Sequence, residues 1–163
     1  MSFNFQIFFE TEKDKVYSLC YRYLQQQQEA EDAVQEIFVK VYFKKEKFRE
    51  EAQITTWLYR ITVNHCLDLL KSKKRKHYFS QLSHFFSAET DKIPDQNNSE
   101  FLEKKQELAK LHNQLNRLPE KQLTVIVLNK LEGIPLAKVA EIMNTSYKAA
   151  ESLLQRGKQN LQK

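Results

Sequence analysis

Two glycines and three prolines in 163 residues are too few for an all-β chain, which would need turn signals about every eight to twelve residues. A chain so poor in both, and rich in Leu, Gln, Lys and Glu, is expected to be all-helical. Cysteine is also scarce. Cys20 and Cys66 stand far apart with no Cys-x-x-Cys spacing, which excludes a disulfide scaffold and fits buried, reduced thiols. No run of about eighteen apolar residues is present, and "MSFNFQIFFETEKDK" lacks a signal peptide's basic start and cleavage site. The chain is therefore expected to be cytoplasmic, with Asn97 and Asn144 only chance glycosylation matches. No His, Cys or carboxylate cluster has metal-site spacing, and His65 has no such neighbour. That spacing argues against a nucleic-acid enzyme and predicts neither catalytic residues, metal, cofactor nor small-molecule substrate.

What is abundant is positive charge. A net +5 attracts a polyanion such as nucleic acid, or an anionic membrane surface, at long range. The excess is concentrated in "KSKKRK", residues 71–76.

Helical periodicity divides the chain. Apolar stripes predict helices over Phe5 to Leu24, Glu29 to Lys45 and Ile54 to Lys76 in a first block, residues 1–78. Residues 79–100, with their Ser, Asp, Asn and Pro, read as a linker. Phe85, Phe86 and Ile93 in it are apolar enough to dock on a partner. The second block, residues 101–163, reads as Phe101 to Arg117, Pro119 to Leu131, Pro135 to Met143 and Tyr147 to Gln162. Gly133 and Asn144 suit left-handed helix ends, and Pro119 and Pro135 suit helix starts.

Three segments carry chemistry. In "EAEDAVQEIFVKVYFKK" one stripe collects Ala30, Ala33, Val34, Ile37, Phe38, Val41 and Tyr42, while Asp32, Glu36, Val39 and Phe43 fall together on the other side. Either another helix of the chain covers Val39 and Phe43, or they anchor another protein while the acids pair with its basic residues. In "TTWLYRITVNHCLDLLKSKKRK" Tyr59, Val63, Cys66, Leu67 and Leu70 form a core stripe. Trp57, Ile61, Asn64, Asp68 and Lys71 form the other, with Arg60 alongside and Lys73, Lys74, Arg75 and Lys76 following. Cations that hold phosphates beside an aromatic that stacks on a base suit nucleic acid; a core tryptophan with a solvated helix end is the alternative.

The third segment, "PLAKVAEIMNTSYKAAESLLQRGKQNLQK", has the size and turn chemistry of a helix-turn-helix, with Ser146 as N-cap of its second helix. That helix would lie in a major groove and offer Lys148, Glu151, Ser152, Gln155, Arg156 and Gln159. Arg156 suits guanine or phosphate, Gln155 adenine and Glu151 cytosine, and Ser152 is permissive. An inert αα-hairpin has the same pattern.

Together, "EAEDAVQEIFVKVY", "TTWLYRITVNHCLDLLKSKKRK" and "LPEKQLTVIVLNKLEGIPLAKVAEIMNTSYKAAESLLQRGKQNL" resemble the extracytoplasmic-function (ECF) sigma factors of bacterial RNA polymerase, in the same order. The resemblance implies an all-α protein of two small domains, a sigma-2 helical bundle (1–78) and a sigma-4 helix-turn-helix (101–163), joined by a flexible linker. It implies that Asp32, Gln35 and Glu36, with Val39 and Phe43, dock on the β′ clamp coiled coil of the core polymerase. The loop Phe48 to Thr56 would capture an extruded base of the minus-ten element. Trp57, Arg60, Asn64, Lys71, Lys73, Lys74 and Arg75 would meet the same element. Lys148, Glu151, Ser152, Gln155 and Arg156 would read the minus-thirty-five element, and sigma-4 would also touch the β-flap. The partners implied are core polymerase, promoter DNA and an anti-sigma factor that can hold the protein at the membrane. A stand-alone helix-turn-helix regulator with a partner-sensing first block is the competing reading. Glu151 and Leu153 replace basic residues found in many members, and Gly157 replaces Ala, at a helix cost of up to about 1 kcal/mol.

Overall fold

The computed structural model describes residues 3–48, 53–84 and 99–163, and these are helical without strands. Helix α1 (Phe5–Leu24) starts where the Asn4 carboxamide oxygen accepts the Ile7 N–H at 3.2 Å, satisfying one of the orphan donors of a helix start. It ends at Gln25, whose φ of 58° is left-handed and whose N–H donates to the Tyr21 carbonyl at 2.8 Å. Two residues then lead into α2 (Gln27–Lys44) and a 3-10 turn, Lys45–Lys47. Ala30, Ala33, Ile37, Phe38 and Val41 line the buried face of α2. The Phe38 ring meets Phe5, Phe8 and Phe9 edge-on at 6.3, 6.4 and 4.8 Å, the T-shaped packing that aromatic quadrupoles favour.

Helix α3 (Ile54–His84) crosses both, burying Leu58, Thr62, Val63, His65 and Cys66. Leu19, Ile37 and Leu58 are completely buried, each contributing about 1.5–3 kcal/mol of transfer free energy. Cys20 and Cys66 are buried free thiols. Contact between them, followed by burial, pushes the Cys66 thiol pKa up, so Cys66 stays protonated and unreactive.

In the second block α4 (Ser99–Asn116) buries only its end, at Leu115. Helix α5 (Glu120–Ile126) continues into a π-helical turn, Val127–Leu131, and α6 (Leu136–Ile142) and α7 (Tyr147–Leu161) follow. Pro119 and Pro135 occupy the N-cap positions, where a missing N–H costs nothing. Gly133 and Asn144 take the left-handed values expected, φ 70° and 52°. Ser146 accepts the Ala149 N–H at 3.1 Å as N-cap of α7.

Three expectations change, and others fall outside the described residues. Helix α3 runs to His84 and α4 begins at Ser99, so residues 79–84 and 99–100 are helical rather than linker. Phe85, Phe86 and Ile93, expected to dock, lie outside the described residues, as do residues 49–52 of the loop before Trp57. Tyr42 leaves the core stripe and stands half-exposed, edge-on to Phe5 at 5.2 Å and under the Lys45 ammonium. Gly157 is a packing requirement as well as a weak helix former. A Cβ there would lie 3.0 Å from Ile126 Cγ1, because α5 and α7 approach closely at that point.

The two blocks also share one apolar cluster, running from Val16 and Leu19 through Val125 and Leu128 to Leu154. The Tyr23 hydroxyl donates to Thr124 Oγ1 at 3.1 Å in the buried seam. Burial pushes the Tyr23 pKa up. At the seam's edge Ser18 Oγ and Arg22 Nε donate to Glu132 Oε1, at 3.0 and 3.2 Å.

Candidate functional site

On α2, Asp32, Gln35, Glu36, Val39 and Phe43 are all exposed. Val39 is 55% and Phe43 76% exposed, so the reading in which another helix of the chain covers them fails among the described residues. Gln35, Val39 and Phe43 border an open apolar groove of about 450 Å³ whose floor is Phe5, Phe9 and Phe38. Ile7, 64% exposed on α1, adds to the apolar surface of this block. Large apolar side chains beside carboxylates form the anchor-and-rim pattern of a protein interface.

One of those carboxylates is tied to α3. His65, almost fully buried, lies between Lys40 Nζ, 2.7 Å from Nδ1, and Glu36 Oε2, 2.9 Å from Nε2, the latter short of hydrogen-bond alignment. Burial and then Lys40 lower the His65 pKa more than Glu36 raises it. The ring is therefore neutral at pH 7, accepting from Lys40 through Nδ1 and carrying its proton on Nε2 toward Glu36. The isolated His65 of the sequence gave no sign of this bridge, because both partners come from α2.

Along α3 the buried arc is shifted from the one expected. Leu58, Thr62 and Cys66 sit at its centre, and Trp57 and Ile61 are partly buried against the core. The Trp57 ring packs beside Phe48 with centroids 5.5 Å apart. Trp57 is thus a partly buried residue packed on the core, as the core alternative expects in part. Asn64, Lys71, Lys74, Arg75 and Lys76 are exposed. Lys73 pairs with Glu29 and Lys71 with Glu120, the latter at 3.2 Å. Arg60 points into the second block, donating through Nε to the Ile142 carbonyl at 3.0 Å and through Nη2 to the Glu141 carbonyl.

On α7, Lys148, Glu151, Ser152, Gln155 and Arg156 are exposed. The last four edge one open surface depression, and Arg156 Nε reaches back to the Ser152 carbonyl at 3.4 Å. The opposite face, Ala150, Leu154 and Gly157, is buried. A helix so divided, preceded by a short helix and a capped turn, has the geometry of a helix-turn-helix.

Two family models match the chain: sigma-70 region 2 over residues 8–76 and sigma-70 region 4 over residues 108–161. The ECF RNA polymerase sigma factor SigW of Bacillus subtilis is 31% identical, covering 93% of this chain and 83% of the relative. The ECF RNA polymerase sigma-E factor of Haemophilus influenzae is 30% identical, with coverages of 92% and 81%. Among solved structures, the sigma factor RpoE in complex with the anti-sigma factor NepR, from Bartonella quintana, matches with a TM-score of 0.65. It is 21% identical, covering 97% of this chain and 94% of that one.

Proposed function

This chain belongs to the sigma-70 family as an ECF sigma factor, and from that premise we propose which of its surfaces does what. Residues 1–78 act as the sigma-2 domain and 101–163 as sigma-4, joined by residues 79–100. The α2 face of Asp32, Gln35, Glu36, Val39 and Phe43 docks on the β′ clamp coiled coil. Trp57, Arg60, Asn64, Lys71, Lys73, Lys74 and Arg75 meet the minus-ten element. Lys148, Glu151, Ser152, Gln155 and Arg156 read the minus-thirty-five element, with Glu151 and Ser152 setting base preference. The protein works as a cytoplasmic specificity subunit and not as an enzyme, and sigma-4 also touches the β-flap. A regulator of the anti-sigma class is its expected inhibitor.

The observation that carries this reading is the uncovered apolar and acidic face of α2, for which a stand-alone regulator offers no polymerase partner. The mechanism follows from geometry and charge. Docking of α2 brings both domains to one DNA molecule at once, so two weak affinities multiply through effective concentration. Cations along α3 hold the backbone while unstacked bases are trapped, each stacked base contributing about 1–3 kcal/mol.

Pull-down with core polymerase tests the docking surface. Glu36→Lys and Asp32→Lys should each abolish retention, and Asp32 is the cleaner site because its carboxylate accepts from Gln28 on the same helix. Retention of both variants at the wild-type level would remove the assignment.

A further inference from the structure

On α2, Glu36 and Lys40 stand four residues apart with the acid first, the order and spacing at which two ions pair along a helix surface. A carboxylate so paired is partly neutralised by its own chain. Here both side chains turn instead to the His65 ring of α3: Lys40 Nζ lies 2.7 Å from Nδ1, and Glu36 Oε2 lies 2.9 Å from Nε2. The ring takes one ion on each nitrogen.

A neutral imidazole has one acceptor nitrogen and one donor nitrogen, so it can receive an ammonium and face a carboxylate at the same time. An aliphatic or phenyl side chain in its place could do neither. The His65 side chain is 7% exposed, so packing sets its position, while the Glu36 side chain is 59% exposed and open to a partner. Lys40 is exposed beside it. The remaining charge felt by the ring is Asp68, on α3 itself.

We propose that His65 is a positioning residue for polymerase docking: it draws Lys40 away from Glu36 and so keeps that carboxylate available to a cationic side chain of the partner. The proposal rests on the reading of the α2 face as the polymerase-docking surface. Without the ring, Glu36 and Lys40 pair along α2, and the chain competes with its partner for its own carboxylate. The core side of α3 thereby sets the charge that α2 presents outward.

The test is the affinity of the full chain for labelled core polymerase, read beside thermal unfolding of the free protein. His65→Phe removes both nitrogens and fills similar space, and affinity should fall about fivefold, the scale of an exposed charge pair. His65→Gln offers an amide oxygen to Lys40 and an amide N–H to Glu36, and should stay within about twofold of wild type. In a Lys40→Met background His65→Phe should cost no more than about twofold, because no ammonium is left to cover Glu36. His65→Leu carries the same expectations where His65→Phe does not fold. Wild-type affinity in His65→Phe, equal losses in His65→Gln and His65→Phe, or a loss that persists without Lys40 each overturns the proposal. Glu36→Gln separates this from the docking reading. If it binds like wild type, Glu36 leaves the docking surface and the proposal falls with it; if it binds weakly while His65→Phe does not, the proposal alone falls.

Discussion

At the scale of single residues, Gly157 and His65 show chemistry that the helical pattern does not carry. Gly157 reads from the sequence as a helix defect, yet α5 lies against it so closely that an added methyl would meet Ile126 at 3.0 Å. Gly157→Ala gains up to about 1 kcal/mol of helix propensity and meets an overpacking cost of about 1–3 kcal/mol. Denaturant unfolding should show a net loss of about 1 kcal/mol, with a gain contradicting the close approach. His65 has a folded-state pKa below its unfolded value because of burial and Lys40, which outweigh Glu36 and Asp68. Its stabilising contribution is therefore complete above the unfolded pKa near 6.5 and is lost as pH falls from there through the folded value. His112, lowered by burial and Lys73, acts in the same direction. Unfolding free energy should decline below about pH 6.5, and His65→Gln should flatten that decline. Trp57 packs on Phe48 and the core. Trp57→Phe should keep stability within about 1.5 kcal/mol while reducing open-complex formation more than polymerase binding; equal loss of both would make Trp57 structural alone.

At the scale of elements, the start and end of α1 were legible to the residue, and α5 to α7 nearly so, because three-four spacing and the Pro, Gly, Asn and Ser signals agree. The end of α3 was not. The helix was expected to stop at Lys76, because "HYFSQLSH" after it carries no sustained apolar stripe, yet it runs to His84. The left-handed Gln25 was hidden for a related reason, since glutamine carries no turn signal. The π-helical turn at Val127–Leu131 was read simply as a continuation of its helix. On the outer side of α2 the spacing grouped Val39 and Phe43 but left open whether another helix covers them, and both are exposed. Phe43→Ser removes little packing from the fold, so thermal stability should hold while core-polymerase affinity drops by about tenfold or more, as for an interface anchor. A matching loss of stability would return Phe43 to the core.

For the whole molecule, the sequence separates two helical blocks and suggests a surface for each, but it says nothing of their mutual packing. That packing depends on isolated pairs such as Tyr23 with Thr124 and Arg22 with Glu132, more than one hundred residues apart and without periodicity. It also sets Arg60 of α3 against the backbone carbonyls of Glu141 and Ile142. The central claim is that this protein confers promoter selectivity on core RNA polymerase through the α2, α3 and α7 surfaces. Run-off transcription with core polymerase over a random promoter library tests it most directly. The account predicts transcripts enriched for two spaced elements, lost together with core binding in Glu36→Lys and altered at the upstream element in Arg156→Ala. Transcripts no different from those of core polymerase alone would contradict it.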